Sequence, residues 1–287
     1  MKIGTHTLNS DQYLTLHGTG HNSGGSMPTI FIGEGGLNIT SGKAGYYVVK
    51  SDIHKTTLRP WNSDFTFGSG SSKDYDFLLG EGDNTYHHTE NIKFTLNTDD
   101  EAGVPRTVTM AARIKTEWAS SSITVAGHGT NIVTSASPLM TGTYAVTNAA
   151  TVVLKNGAAF TNGTVSVGSA ATLAVGESGT VKSGNLTLAD GAALAFNWTA
   201  PATAPVLDLT GKTVTVSGAV NVKISSELSE EDKPNGGTRV LTSGGGFAGK
   251  TVSLAAGSPK WAKSVSVNGD GNIVVDIASN GMMIFVR

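Results

Sequence analysis

The chain has 287 residues, 37 glycines, no cysteine, 15% charged residues and a formal net charge of −2. So little charge, with no basic cluster, denies nucleic acid an electrostatic footing, and a Gly/Thr/Val-rich, weakly charged composition excludes an intrinsically disordered chain. The missing cysteines exclude a disulfide framework without arguing for the cytosol, and no apolar run reaches the roughly 18 residues of a membrane-spanning helix.

From the N-terminus the elements read as short strands between glycine-rich turns. Met1-Lys2-Ile3-Gly4-Thr5 lacks the apolar segment of a secretion signal, so the signal of an exported form is expected to lie outside this sequence. Tyr13–Leu16 is a strand, followed by the turn His17–Gly25. Thr29–Ile32 and Leu37–Ile39 flank Gly33–Gly36, and Tyr46–Val49 follows. A polar link then holds Asp52, His54, Lys55, Arg59, Pro60 and Trp61. Phe65–Phe67 and Tyr75–Leu79 are strands. Ile92–Leu96 and Val108–Ile114 read as strands around the acidic turn Asn97–Pro105 and can pair as a hairpin. Ile123–Val125 and Asn131–Val133 bracket Ala126-Gly127-His128-Gly129.

Beyond residue 140 the pattern becomes periodic. Thr164–Val175 (TVSVGSAATLAV) and Asn185–Phe196 (NLTLADGAALAF) superpose at an offset of 21 residues, placing Val165 on Leu186, Val167 on Leu188, Ala171 on Ala192, Leu173 on Leu194 and Val175 on Phe196. Thr151–Phe160 is a weaker copy. Side chains alternate between the two faces of a strand, so one copy alone buries almost nothing. Stacked copies join their apolar faces into a continuous core, which is the logic of a solenoid. Val206–Leu209, Val214–Val216 and Val220–Ile224 continue the stack. The acidic segment Ser226–Gly237 interrupts it as a protruding loop, with room for one helical turn capped by Ser226 or Ser229. Arg239–Thr242, Val252–Leu254, Val265–Val267 and Ile273–Ile277 resume the strands, and Met282–Val286 is placed to cap the open end.

These residues carry a resemblance to the autotransporter-associated β-strand repeat proteins of bacterial surfaces. Tyr13–Gly25 (YLTLHGTGHNSGG) resembles their strand-plus-turn unit. Gly82, Asn84, Thr85, Tyr86 and Ile92 match their G-x-N-T-Y-x-x-x-T-x-I segment, with His88 and Glu90 departing from it. Ala193–Trp198, Val214–Val222 and Thr238–Gly249 are similar to the closing part of such passengers. The resemblance implies a right-handed parallel β-helix that is exported and displayed outside the cell.

All seven histidines lie at or before residue 128, which makes the first half the place to look for chemistry. Asn97-Thr98-Asp99-Asp100, Arg113-Ile114-Lys115 and Gly127-His128-Gly129 look like signatures of polygalacturonase-type glycoside hydrolases. That resemblance would make Asp99 and Asp100 acid/base carboxylates, His128 a supporting group, and Arg113 and Lys115 binders of substrate carboxylates. The order differs, since the Arg-Ile-Lys element here precedes Gly-His-Gly. Trp61 and Tyr86 are the candidate glycan-contacting rings. No cofactor or metal is expected, although Gly80–Asn84 and Asn268–Asn272 put oxygen ligands of the kind Ca²⁺ takes on glycine-rich turns. His87-His88 lacks the four ligands of a structural zinc site.

The expectation from sequence is one all-β domain over 1–287, a right-handed parallel β-helix (β-solenoid). Residues 1–140 form loop-decorated repeats, and 141–287 form regular ones with an acidic loop at 226–237 and a C-terminal cap. Repeats of 21 residues would give roughly 13 turns and about 60 Å of stack. The function expected is a non-enzymatic, extracellular or cell-surface passenger that contacts a host surface or glycan, without membrane insertion or nucleic acid. The alternative is a secreted polysaccharide-degrading enzyme on the same scaffold.

Overall fold

Alternation of apolar and polar residues sets nearly every strand. In Thr164–Val167, Thr143–Val146 and Thr151–Leu154 the second and fourth side chains are buried and the first and third are half-buried. The computed structural model describes residues 2–3, 6–8, 14–16, 29–34, 36–39, 49–51, 55–68, 77–79, 92–155, 157–228 and 232–279. Among these it is all-β, with no helix.

The chain lays down strands in successive repeats. The first three repeats are β1 (Lys2–Ile3), β2 (His6–Leu8) and β3 (Leu14–Leu16); β4 (Thr29–Ile32), β5 (Leu37–Ile39) and β6 (Val49–Ser51); and β7 (Lys55–Pro60), β8 (Phe65–Phe67) and β9 (Phe77–Leu79). The fourth is β10 (Lys93–Asn97), β11 (Thr107–Met110) and β12 (Ile114–Thr116), and two-strand repeats follow with β13 (Ser122–Ala126), β14 (Thr130–Val133), β15 (Thr143–Val146) and β16 (Thr151–Leu154). The next are β17 (Thr164–Val167), β18 (Thr172–Val175), β19 (Gly179–Lys182), β20 (Asn185–Leu188), β21 (Ala193–Trp198) and β22 (Pro205–Asp208). The chain closes with β23 (Val214–Val216), β24 (Ala219–Ser226), β25 (Gly237–Val240), β26 (Thr242–Ser243), β27 (Thr251–Leu254), β28 (Ala262–Val267) and β29 (Ile273–Ile277).

Each repeat adds one strand to each of two long sheets. The first sheet has nine strands, β1-β4-β7-β10-β13-β15-β17-β20-β23, and the second has ten, β2-β5-β8-β11-β14-β16-β18-β21-β24-β27. All their pairings are parallel. A third strand per repeat builds β12-β9-β6-β3 and later β19-β22-β26. The 21-residue offset holds where the sequence displays it: Thr164 pairs with Asn185, Val165 with Leu186, Leu173 with Leu194 and Val175 with Phe196. It extends back to Ser122 on Thr143 and Thr130 on Thr151. Thr151–Leu154 sits in the second sheet, in register with Thr172–Val175. Outside this span the repeats are longer, with Lys93 on Lys55 and Leu186 on Val214. The second sheet therefore has ten strands, fewer than the roughly 13 turns that a uniform 21-residue repeat predicts.

Three further expectations change. The polar link contains β7, because Lys55–Pro60 is paired on both sides, with Thr56 and Leu58 turned inward; its one aliphatic residue hides it from hydrophobic patterning. Residues 92–96 and 108–114 do not form a hairpin. β10 and β11 enter different sheets, and the second stretch breaks at Ala111 into β11 and β12. The last strands also do not extend the parallel stack: β25, β29 and β28 form an antiparallel sheet. Trp261, just before β28, packs edge-on against Trp198 of β21, ring centroids 5.5 Å apart, so this sheet is fastened to the stacked core. Ser226 caps no helix among the described residues. Its hydroxyl accepts from Leu228 N–H and donates to the Trp198 carbonyl. Met282–Val286 lies outside the described residues.

Candidate functional site

The register of β10 on β13 builds a polar corner. Asn97 pairs with Ala126 at the ends of these strands, so the segments leaving them, Thr98–Arg106 and Gly127–Gly129, run side by side. Thr98 Oγ1 donates to the Ala126 carbonyl and accepts from Gly129 N–H, both at 2.9 Å. Gly127 has φ +99°, and a Cβ there would crowd Asn97, Thr98 and Asp99. The chain therefore turns tightly enough for His128 to reach Asp99.

Both Asp99 oxygens are engaged by that residue. Oδ1 accepts from His128 N–H at 2.7 Å, and Oδ2 lies 2.9 Å from His128 Nδ1. A carboxylate only accepts, so Nδ1 carries a proton in this contact. The imidazole is 65% exposed while the Asp99 side chain is 12% exposed. Asp100 faces the other way. Its Oδ1 accepts from Ala102 and Val104 N–H at 2.9 Å, and its Oδ2 accepts from Arg106 Nε at 2.8 Å and pairs with the same guanidinium at 2.6 Å. Arg59 ties β7 to this turn by donating to the Asp99 and Asp100 carbonyls, with its guanidinium over the Phe31 ring. Trp61 follows β7, is half-buried, and accepts from Glu101 N–H at 3.2 Å.

The structure thus brings together Asp99, His128 and the Trp61 backbone. It directs the Asp100 carboxylate into its own turn, and it places Arg113 and Lys115 at β12, in the separate sheet β12-β9-β6-β3. Tyr86 and Gly80–Asn84 lie outside the described residues. Asn268–Asn272 is the tight turn between antiparallel β28 and β29, where Asn268 Oδ1 accepts from Asp270 and Asn272 N–H. Among the described residues no group of three or more His, Asp or Glu could hold a metal ion. Arg59 and Arg106 were not singled out from sequence. Arg59 is recognised only once β7 is seen to be a strand beside β10, whereas Arg106 meets Asp100 six residues away within one turn.

Burial works against the Asp100 charge, but N–H bonds from Val104 and Ala102 and the Arg106 guanidinium outweigh it and hold the carboxyl below its ordinary 3.8. Asp208, bound by Thr210 and Ser243, and Asp276, bound by Thr238 and Ser264, are lowered likewise. A carboxyl whose folded pKa is depressed stabilises the fold above its unfolded value, and that contribution is lost as pH falls through the folded value. Thermal unfolding of the wild type is therefore expected to be flat near neutrality and to fall below about pH 3.8. Asp100→Asn should start lower and fall less steeply. Equal slopes for the two proteins would remove Asp100 from this role.

No protein-family model, curated protein or solved structure matches the chain.

Proposed function

We propose that the two long sheets close into one right-handed parallel β-helix, and that the chain is an exported, non-catalytic display module that carries a contact surface for a host surface or glycan. The observation behind this is the unbroken parallel pairing from β1 to β23 and from β2 to β27. Such ladders make each repeat rest on its neighbours and yield a stiff, elongated body. The engagement of Asp99 and Asp100 within their own corner also favours a structural role. Both carboxylates serve as acceptors for donors of the corner itself, whereas glycoside hydrolysis needs one acid and one base turned to a shared sugar.

Two measurements test this. Small-angle scattering is expected to give a rod at least about 40 Å long, from ten strands stacked at about 4.8 Å. Incubation with polyuronides and with plant or mucosal glycans is expected to release no reducing ends or unsaturated products. Product formation abolished by Asp99→Asn with Asp100→Asn would overturn the display function. It would favour the hydrolase alternative, for which the Asp99–His128 contact is the supporting geometry.

A further inference from the structure

The solvent face of the second sheet holds an open groove of about 430 Å³ running across β14, β16, β18, β21 and β24. Its floor is a column in parallel register: Ile132, Val153, Ala174 and Ala195, continued by Lys223. Ala174 is only 8% exposed yet stands apart from the core cluster that holds Leu173 and Val175. Residues flanking the floor, not the core, therefore cover it. Thr151 and Thr172, paired in register, bring hydroxyls to one flank. On the other, Asn197 Nδ2 donates to the Gly176 carbonyl.

Lys155 is laid down along this face. A Cβ on Gly176 would lie 2.5 Å from Lys155 Cγ and 2.9 Å from its Cε, so the glycine leaves the space in which the lysine stem rests on the next strand. Neither the Lys155 nor the Lys223 ammonium forms a hydrogen bond or ion pair with a described residue, and Glu227 is the single acid lining the groove.

We infer that this groove binds an anionic oligosaccharide, one bearing uronate carboxylates or sulfates, with Lys155 and Lys223 on its acidic groups. The inference rests on the glycan-contact function above and names its site. Three features select a saccharide. Methyl and methylene groups on the floor meet sugar C–H faces, and hydroxyls and an amide on the flanks meet sugar hydroxyls. The strand spacing of about 4.8 Å, comparable to one pyranose, repeats these groups along the chain axis. An extended peptide is favoured by a free sheet edge, whereas β16, β18 and β21 are each paired on both sides. Two lysines on a chain of net charge −2 are too few for nucleic acid.

The test is calorimetric titration of the full chain with oligogalacturonate, with a heparin-derived oligosaccharide, with a neutral oligosaccharide of equal length, and with polyglutamate. At least one anionic saccharide is expected to bind, and the neutral one at least tenfold more weakly. Which of the two binds distinguishes carboxylate from sulfate recognition. Lys155→Gln with Lys223→Gln is expected to lower affinity at least tenfold at unchanged melting temperature, and Lys263→Gln on the terminal sheet to leave it unchanged. Gly176→Ala keeps both charges but displaces the Lys155 stem, and should weaken binding as well. No binding of either anionic saccharide, binding insensitive to the double variant, or equal binding of polyglutamate would overturn the inference. The rod shape and the absence of product release remain separate readouts, so failure here is distinguishable from failure of the display function.

Discussion

Gly184→Ala is expected to destabilise the fold by about 3 kcal/mol, the upper end of the range for overpacking. Glycines 142, 163 and 184 recur every 21 residues, each directly before a strand of the first sheet, β15, β17 and β20. They approach one another's backbones. A Cβ on Gly184 would lie 2.1 Å from the Gly163 carbonyl oxygen and 2.3 Å from that of Phe160, and one on Gly163 would lie 2.7 Å from the Gly142 oxygen. The obstacle is main chain, which cannot rotate away as a side chain can, so two repeats must separate to admit the methyl. Gly269→Ala in the β28–β29 turn meets nothing within 4 Å and should stay within about 0.5 kcal/mol of wild type. Urea unfolding of the two variants checks this, and equal midpoints would show that the glycine column is not a steric requirement.

Asn131→Ala is expected to cost about 3 kcal/mol, since it orphans two buried groups at once. Asn131 sits fully buried on the inner face of β14. Its Nδ2 donates to the Val108 carbonyl at 2.9 Å, and its Oδ1 accepts from Tyr144 Oη at 2.6 Å. The Tyr144 ring is stacked on Phe160, centroids 4.4 Å apart, so the hydroxyl cannot swing to solvent, and burial pushes its pKa well above that of an ordinary phenol. Tyr144→Phe orphans one acceptor only and should cost about 1–2 kcal/mol. Asn131→Leu combined with Tyr144→Phe removes both ends of the bond and should be more stable than Asn131→Ala alone. If the double variant is as unstable as the single one, packing rather than hydrogen bonding is what Asn131 contributes.

The buried asparagine illustrates why the interior was only partly legible. Alternation and the 21-residue offset place Val165, Leu186, Leu173 and Phe196 inward, because a half-buried strand shows its two faces in its own residues. Nothing local shows that Asn131 occupies an inward position opposite Tyr144, since the compensation comes from another strand. The candidate corner is similar. Asp99, Asp100 and His128 stand out as residue types, but the meeting of Asp99 with His128 depends on a 29-residue register between β10 and β13 that no periodicity announces, while Asp100 is held within its own turn. The Lys155 groove escaped entirely, since its parts come from five strands and each is unremarkable alone.

By itself the sequence determined the all-β class, the stacked repeat and the register of Thr164–Val175 on Asn185–Phe196. These follow from strand alternation and from the regular return of small and apolar residues, which any neighbouring copy must match. Tertiary structure alone decided the long repeats of the first half, the strand Lys55–Pro60, the antiparallel closing sheet with Trp261 on Trp198, and the pairing of Asp99 with His128. Each of these depends on which distant backbone lies alongside, and pairing between strands is set by the energy of the whole stack rather than by the residues of either strand.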